Sequence, residues 1–559
     1  MLFSTTKTMS ALRWRTNHQV VNTTTDEMKL LAGQVGRALS VDAGRAASAR
    51  PGAVACSAAR IGARTSTLGD NATTGLGQLH REWASSRQGR AAGWRCLATV
   101  TENDVDLIAE KKPKEGSGEL PTVWKAPLDF KFIRDNVEEV ESNCRDRNSD
   151  AEPRLVAELY AKYLERNQDL ADLQQARNAN AKKLKGKMSK EERDVLISAG
   201  KSLKDQIAVL EQAVEAAQIE MQREGQRIPN MTHPEVPVGG EEDSVTLQTV
   251  GQSPAFDFEA KDHLQLGESL DLIDFETAAG VTGSKFYYLR NEAALLELAL
   301  INYSMSKAVS RGFVPMITPD LVRTEVLEKC GFQPRAENTQ NYSVSNTDLC
   351  LTGTAEIPLG GSVMNSLLEE SALPMKMAGF GRCFRTEAGA AGSASKGLYR
   401  VHQFSKVELF VVCTPDQSEA LLGELMDLEV EMFAELGLHF KVMDMATHDL
   451  GAPAYRKFDV EAWMPGMDRY GEISSASNCT DYQARRLSIR YRPKAKAGEK
   501  KKPKNVFVHT LNATACAVPR MIVAILENFQ QEDGSVLIPE ALHPYMHGIK
   551  TIEPKATKK

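Results

Sequence analysis

No stretch of the 559-residue chain is apolar for long enough to cross a bilayer; runs such as Met521 to Leu526 fall far short of the roughly 20 residues a spanning helix needs. Cysteine is sparse. Nine residues are scattered from Cys56 to Cys516 with no Cys-x-x-Cys pair and no nearby histidine, which argues against a disulfide frame or a zinc site and for reduced structural thiols. Excess positive charge is also missing: at a formal net charge of −6 the chain has no global attraction to nucleic acid, so any RNA contact must come from a local basic patch. Acidic residues nearly vanish from positions 1–100, where only Asp26, Glu27, Asp42, Asp70 and Glu82 interrupt a sequence rich in Ala, Ser, Thr and Arg. That composition reads as an organellar presequence, for the mitochondrial matrix, the plastid stroma or both, with a disordered regulatory tail as the alternative.

The remainder has the balance of an ordinary globular protein, 42% hydrophobic and 25% charged, and its length calls for about two or three packed units. From about 150 to 226 aromatic residues and proline are nearly absent. Apolar residues there recur at three-four spacing, at Val156, Leu159, Tyr163, Leu170, Leu173 and Leu184, then at Leu196, Leu203, Ile207, Leu210, Val214, Ala217 and Met221. Two such seams, broken by Gly186-Lys187-Met188-Ser189, predict two antiparallel coiled-coil helices and a tight turn. Helices of roughly 35 residues at about 1.5 Å per residue extend on the order of 50 Å, so the hairpin is an arm. Lys182, Lys183, Lys185 and Lys187 gather near its tip, where a phosphate-bearing ligand can be gripped; charge alone fits a solvated tip equally well. This arm sits in an N-terminal domain expected over 128–232. Pro234, Pro237, Gly239 and Gly240 mark a linker over 233–263. Helices mixed with alternating strands predict one α+β domain over 264–550, followed by a basic tail, 551–559.

Chemistry concentrates in that last domain. Gly381 to Glu387, a Gly- and Ser-rich stretch to Gly397, and Leu398 to Leu409 read as strand, long loop, strand. Alternation on a strand puts Arg385 and Glu387 on one face, and likewise Phe404, Lys406 and Glu408. Taken singly, Arg385 with Glu387 reads as a surface ion pair and Phe404 as a core aromatic. The same alternation in Leu351 to Glu356 aims Thr354 and Glu356 to one side. Pro519 suits a first helical turn, where its missing N–H would lack a partner anyway, and leaves Arg520 at the start of an apolar helix, facing an anion.

Together these segments resemble the class II aminoacyl-tRNA synthetases, and in detail the seryl type, over roughly residues 128 to 550. The resemblance implies an antiparallel-sheet catalytic domain behind a coiled-coil arm, with ATP and Mg2+ required and zinc not. Serine would be held by Thr354, Ala355, Glu356, Glu408, Asn512 and Thr514. ATP would meet Arg385, Thr386, Glu387, Val401, His402, Gln403, Phe404, Glu472, Ile473, Ser474, Ser475 and Arg520. Among these, Arg385, Arg520 and Glu472 would carry catalysis, with Arg385 on the α-phosphate, Arg520 on the terminal phosphates and Glu472 on the metal. Phe404 would stack on adenine. Implied partners are L-serine, ATP and tRNA(Ser), with tRNA(Sec) by analogy, the arm and its lysines gripping the tRNA. Arg311-Gly312-Phe313-Val314-Pro315 approximates the motif that builds a homodimer in this family.

Two features pull elsewhere. Lys187-Met188-Ser189-Lys190 matches the phosphate-binding signature of class I synthetases, but it sits at the turn of a coiled coil and no His-x-Gly-His precedes it. In the last motif Ala513, Ala515 and Pro519 stand where many family members have glycine. That departure motivates a second reading, a catalytically impaired paralogue that binds RNA or a partner.

Overall fold

The computed structural model describes residues 124–333, 339–387, 396–495 and 503–555. The expected presequence (1–100), most of the 388–397 loop, residues 496–502 and the last tail residues lie outside them.

Two short helices, α1 (Phe130–Asp135) and α2 (Val137–Asp146), pack against the base of a hairpin made by α3 (Pro153–Lys183) and α4 (Lys190–Arg227). Pro153 occupies the first turn of α3. Ser189 caps α4: its hydroxyl accepts from the Glu192 N–H at 3.1 Å, and the Glu192 carboxylate accepts from the Ser189 N–H at 2.9 Å. The serine of the class I look-alike is therefore a helix cap. Outer hairpin contacts come from Leu173, Ile207, Leu210 and Ala213, and inner ones from Val156, Leu159 and Met221, which meet Phe130 and Ile133. Ala213 takes the buried seat expected for Val214, which is half-buried, because a 3.6-residue turn drifts against a strict seven-residue repeat. At the root, the buried Arg147 donates to the carbonyls of Asn230 (3.0 Å) and Ala454 (2.9 Å), tying the helical region to the sheet that follows.

That sheet has eight strands: β1 (Val245–Val250), β2 (Val314–Ile317), β3 (Met375–Phe384), β4 (Gln403–Cys413), β5 (Phe440–Asp444), β6 (Arg456–Met464), β7 (Arg469–Asn478) and β8 (His509–Ala517). Their spatial order is β1-β5-β6-β7-β8-β4-β3-β2, antiparallel throughout except for the parallel pair β2/β3. Strand β1 corrects the linker reading of 233–263: Val-Thr-Leu-Gln-Thr-Val has the period of a strand, and it forms the sheet's edge against β5.

Helices α5 (Asn291–Ser310), α7 (Ser418–Glu435) and α8 (Val518–Asn528) cover one face, burying Val407, Leu409 and Val411 of β4 with Leu511, Ala513 and Ala515 of β8. Between α5 and β2 the chain reverses at Gly312 (φ 82°), where the Phe313 N–H reaches back to the Ala308 carbonyl at 3.1 Å. On the opposite face, Phe410 and Val412 are covered by α6 (Glu356–Ser362) and neighbouring short segments. Cover stops there, and the rest of that face, at Phe404 and Lys406, borders a cleft.

Candidate active site

The cleft takes in about 560 Å³, counting the part open to solvent, and brings together Arg385, Glu387, Phe404, Lys406, Glu472 and Arg520. Val401, Ile473, Ser474, Ser475 and Thr514 also line it. Residues more than a hundred positions apart meet because β3, β4, β8 and β7 are neighbours in the sheet.

Two bulges shape the walls. In β7 the register against β6 slips between Val460 and Glu461, so Val460 faces Ser474 while Glu461 faces Glu472 and Ile473 is the extra residue. A bulge breaks the two-residue period, which is why four consecutive residues, Glu472 to Ser475, all reach the cleft. A second slip in β8 makes Ala515 the extra residue, pairing Thr514 with Glu408 but Ala517 with Lys406. The methyls of Ala513 and Ala515 point into the core on the far face. Alanine at 513 and 515 therefore leaves Thr514 on the cleft side of β8, while Pro519 lines the cleft itself, so the impaired-paralogue reading loses two of its three motives.

Alternation places Phe404 and Lys406 as expected, but it is the wrong reason elsewhere. Strand β3 ends at Phe384, and Arg385 and Glu387 reach the cleft from the loop beyond it, with Glu387 at φ 49°. Thr354 and Glu356 are likewise not on a strand. Glu356 begins α6, and its N–H donates to the Thr354 hydroxyl at 3.2 Å, a turn that folds both side chains to the same side.

Three ion pairs lie in or beside the cleft. Arg520 binds Glu472 at 2.9 Å, Arg400 binds Glu387 at 3.1 Å, and Lys406 binds Glu408. Arg385 lies over the Phe404 ring, 5.3 Å from its centroid, and its Nε donates to the Gly353 carbonyl at 3.4 Å. Burial pushes the Glu472 carboxyl up, but Arg520 and Lys457 outweigh it and hold it down at about 2. Behind the cleft Glu356 is buried; its Oε1 accepts from Gln483 at 2.5 Å and from Asn512 at 3.1 Å. Burial, reinforced by Glu408, pushes its carboxyl up to about 7. Glu408 accepts from the Thr354 hydroxyl at 3.0 Å, and with Glu356, Thr514 and the half-buried Asn512 these side chains form one polar cluster behind the cleft.

Some expected residues do not reach the cleft. His402 turns to the Arg385 carbonyl (2.9 Å) and the Tyr342 hydroxyl (3.1 Å), Thr386 donates to the Thr339 carbonyl at 2.6 Å, and Gln403 lines a separate groove with Arg382. Ala355 is buried in the core under α6. Sequence reading missed Tyr399, whose ring carries Arg520 at 4.6 Å, and Gln483 on Glu356. A lone Tyr and Gln carry no motif; only the fold shows them.

Residues 341–529 match the tRNA synthetase class II core domain (G, H, P, S and T), and 128–232 match the seryl-tRNA synthetase N-terminal domain. The serine–tRNA ligase of Treponema denticola is 50% identical over 421 residues, 75% of this chain and 98% of the relative. The chain belongs to the seryl-tRNA synthetase family. It is a class II aminoacyl-tRNA synthetase, a ligase. The serine–tRNA ligase of Rubrobacter xylanophilus shares 48% identity over 420 residues, 75% of this synthetase and 97% of that one. Among solved structures, seryl-tRNA synthetase from Pyrococcus horikoshii complexed with ATP superposes with a TM-score of 0.71 at 38% identity, covering 77% of this chain and 100% of that one. The cytoplasmic enzyme of Naegleria fowleri in complex with AMP gives 0.67 at 29%, covering 78% and 100%.

Proposed function

We propose that the cleft holds ATP and the buried pocket behind it holds serine, so that the two substrates meet beside Lys406. The convergence of Arg385, Phe404, Glu472 and Arg520 on one cavity carries this reading. Phe404 presents a flat apolar surface for adenine. Arg385 lies next to both the ring and the pocket and takes the α-phosphate, while Arg520, in the first turn of α8, takes the terminal phosphates. Glu356 answers the ammonium of serine, and Glu408 with Thr514 its hydroxyl.

The serine carboxylate oxygen attacks the α-phosphorus; the bond to the bridging oxygen breaks and pyrophosphate leaves, giving seryl-adenylate. A ribose hydroxyl at the tRNA 3′ end then takes the seryl group, loses its proton and releases AMP. Such chemistry depends mainly on positioning and on neutralising charge. The residues present fit Mg2+: a carboxylate held well below its usual range at Glu472, the Ser475 hydroxyl beside it, and phosphate oxygens from ATP to complete a shell. When bound, the ion would neutralise charge on the phosphates. Among the described residues no group of three or more His, Cys, Asp and Glu gathers at one point, so ATP itself must supply part of the shell.

The exposed Lys182, Lys183, Lys185 and Lys187 at the hairpin tip support a tRNA grip on tRNA(Ser). A homodimer is supported by β2, an edge strand whose Val314 and Ile317 are 58% and 85% exposed. Work in an organelle, mitochondrion or plastid, rests on the composition of residues 1–100, and a fluorescent fusion to them tests it. Charging of tRNA(Sec) rests on the family alone.

Serine-dependent exchange of pyrophosphate into ATP is the deciding assay. Arg385→Ala should lower it about a hundredfold or more; exchange near the wild-type rate would reject the assignment of the cleft.

A further inference from the structure

Lys406 belongs to neither list of expected contacts, yet it stands between the two substrate sites. It is 7% exposed and lines the cleft. Its Nζ makes an ion pair with Glu408 Oε2 and donates to the Thr514 hydroxyl at 3.5 Å. Those are the two groups assigned to the serine hydroxyl. Glu356 has a different surrounding: among the described residues its Oε1 is met at hydrogen-bond distance by the neutral amides of Gln483 and Asn512.

The fold makes room for this arrangement. Lys406 and Glu408 face the same side of β4, and opposite them on β3 stand Gly381 and Gly379. A Cβ at Gly381 would come within 2.7 Å of the Thr318 hydroxyl, and one at Gly379 within 2.9 Å of Leu359, so neither position accepts a side chain without movement. On the other flank the β8 bulge puts Ala517, not the larger Cys516, across from Lys406 while keeping Thr514 across from Glu408.

We propose that Lys406 is a specificity-determining positioning residue: by pairing with Glu408 and Thr514 it reserves them for the hydroxyl of serine and leaves Glu356 to take the ammonium. Two carboxylates in one buried pocket are otherwise equivalent destinations for a cation. With a lysine already on one of them, an incoming ammonium is repelled from Glu408 and drawn to Glu356, and the amino acid enters in one orientation. Both Thr354 and Lys406 contact Oε2 of Glu408, so the hydroxyl is received at a carboxylate whose orientation is fixed beforehand. A pocket built around a hydroxyl rejects the analogue that lacks one, because its polar groups are then left without a partner.

This inference rests on the serine pocket proposed above, and the test separates the two. In pyrophosphate exchange, KM for serine and the competitive Ki of alanine are measured for the wild type, Lys406→Met, Glu408→Gln and the double variant. Lys406→Met should reduce the ratio of alanine Ki to serine KM about tenfold. The double variant should discriminate no worse than Glu408→Gln alone, because Lys406 acts through that carboxylate. A Lys406→Met enzyme that binds ATP normally yet keeps the wild-type ratio, or loses serine and alanine alike, overturns the role of Lys406. A wild-type chain without serine-dependent exchange would bring down the pocket assignment itself.

Discussion

Arg520 grips Glu472 twice, its Nη1 donating to the carboxylate Oε2 and to the backbone carbonyl of the same residue, each at 2.9 Å. One partner starts helix α8 and the other sits beside the bulge of β7, so this contact fixes the helix N-terminus against the wall of the cleft. Arg520→Ala should lower pyrophosphate exchange about a hundredfold or more. It should also let the Glu472 carboxyl rise, since after burial the Arg520 charge is the largest influence on it. At saturating serine the rate would then acquire an acidic limb that the wild type lacks. Arg520→Lys should recover only part of the loss, because an ammonium does not reproduce the fixed donor fork of a guanidinium.

Serine affinity should depend on pH through Glu356. Burial and the neighbouring Glu408 raise its carboxyl to about 7, with Gln483, Lys406 and Arg385 pulling the other way. Below that pH the carboxyl holds a proton and cannot counter an ammonium, while serine's own amino group stays charged. KM for serine in exchange should therefore climb as pH falls through about 7, by up to about tenfold per unit. Glu356→Gln should raise KM above about pH 7, where the wild-type carboxylate is charged, converge on the wild-type value below it, and so flatten the profile; a profile unchanged by the substitution would assign the dependence to another group.

The arm can be shortened without disturbing its base. Leu170, Leu173, Leu203 and Ile207 hold the hairpin together below the tip, so residues 174–202 can be replaced by a short Gly-Ser turn. Pyrophosphate exchange should stay within about twofold of wild type, since the cleft is built from the sheet, whereas tRNA charging should fall at least about tenfold. Changing Lys182, Lys185 and Lys187 to Ala in the full chain should make tRNA binding less sensitive to salt, the log-log slope dropping by roughly 0.7 to 0.9 per lost phosphate contact. Normal charging by the shortened arm would assign the grip elsewhere.

Glu429 lies fully buried on α7 behind β7, beside the Ser474 hydroxyl, and among the described residues no cation pairs with its carboxylate. Burial raises its carboxyl well above the ordinary range. An acid raised in the folded state costs nothing below its unfolded value and destabilises progressively as pH climbs above it, because the unfolded chain gives up the proton first. Glu429→Met should thus raise the melting temperature more at about pH 8 than at about pH 5. An equal gain at both would point to packing alone.

Regular segments were legible in the chain, and irregular ones were not. Phe404, Lys406 and Glu408 could be put on one face because β4 runs unbroken from Gln403 to Cys413. Arg385, Glu387, Thr354 and Glu356 arrive at the expected place by other means, through a strand that has ended and a turn into a helix. The extra residues Ile473 and Ala515 carry no mark in the sequence, since a bulge is a relation between two strands. Strand β1 was hidden behind prolines and glycines that resemble a linker.

By itself the sequence determined the helical hairpin, the alternating strands, the apolar helix behind Pro519 and the types of charged residue available, all of them consequences of local period and composition. Only the tertiary structure decided which charges meet: that Arg520 closes on Glu472, that Lys406 rather than Arg385 pairs with Glu408, and that Glu356 is left with neutral amides. Pairing of this kind depends on sheet order and strand register, which are set by burying a face common to many distant segments, and no window of neighbouring residues contains that information.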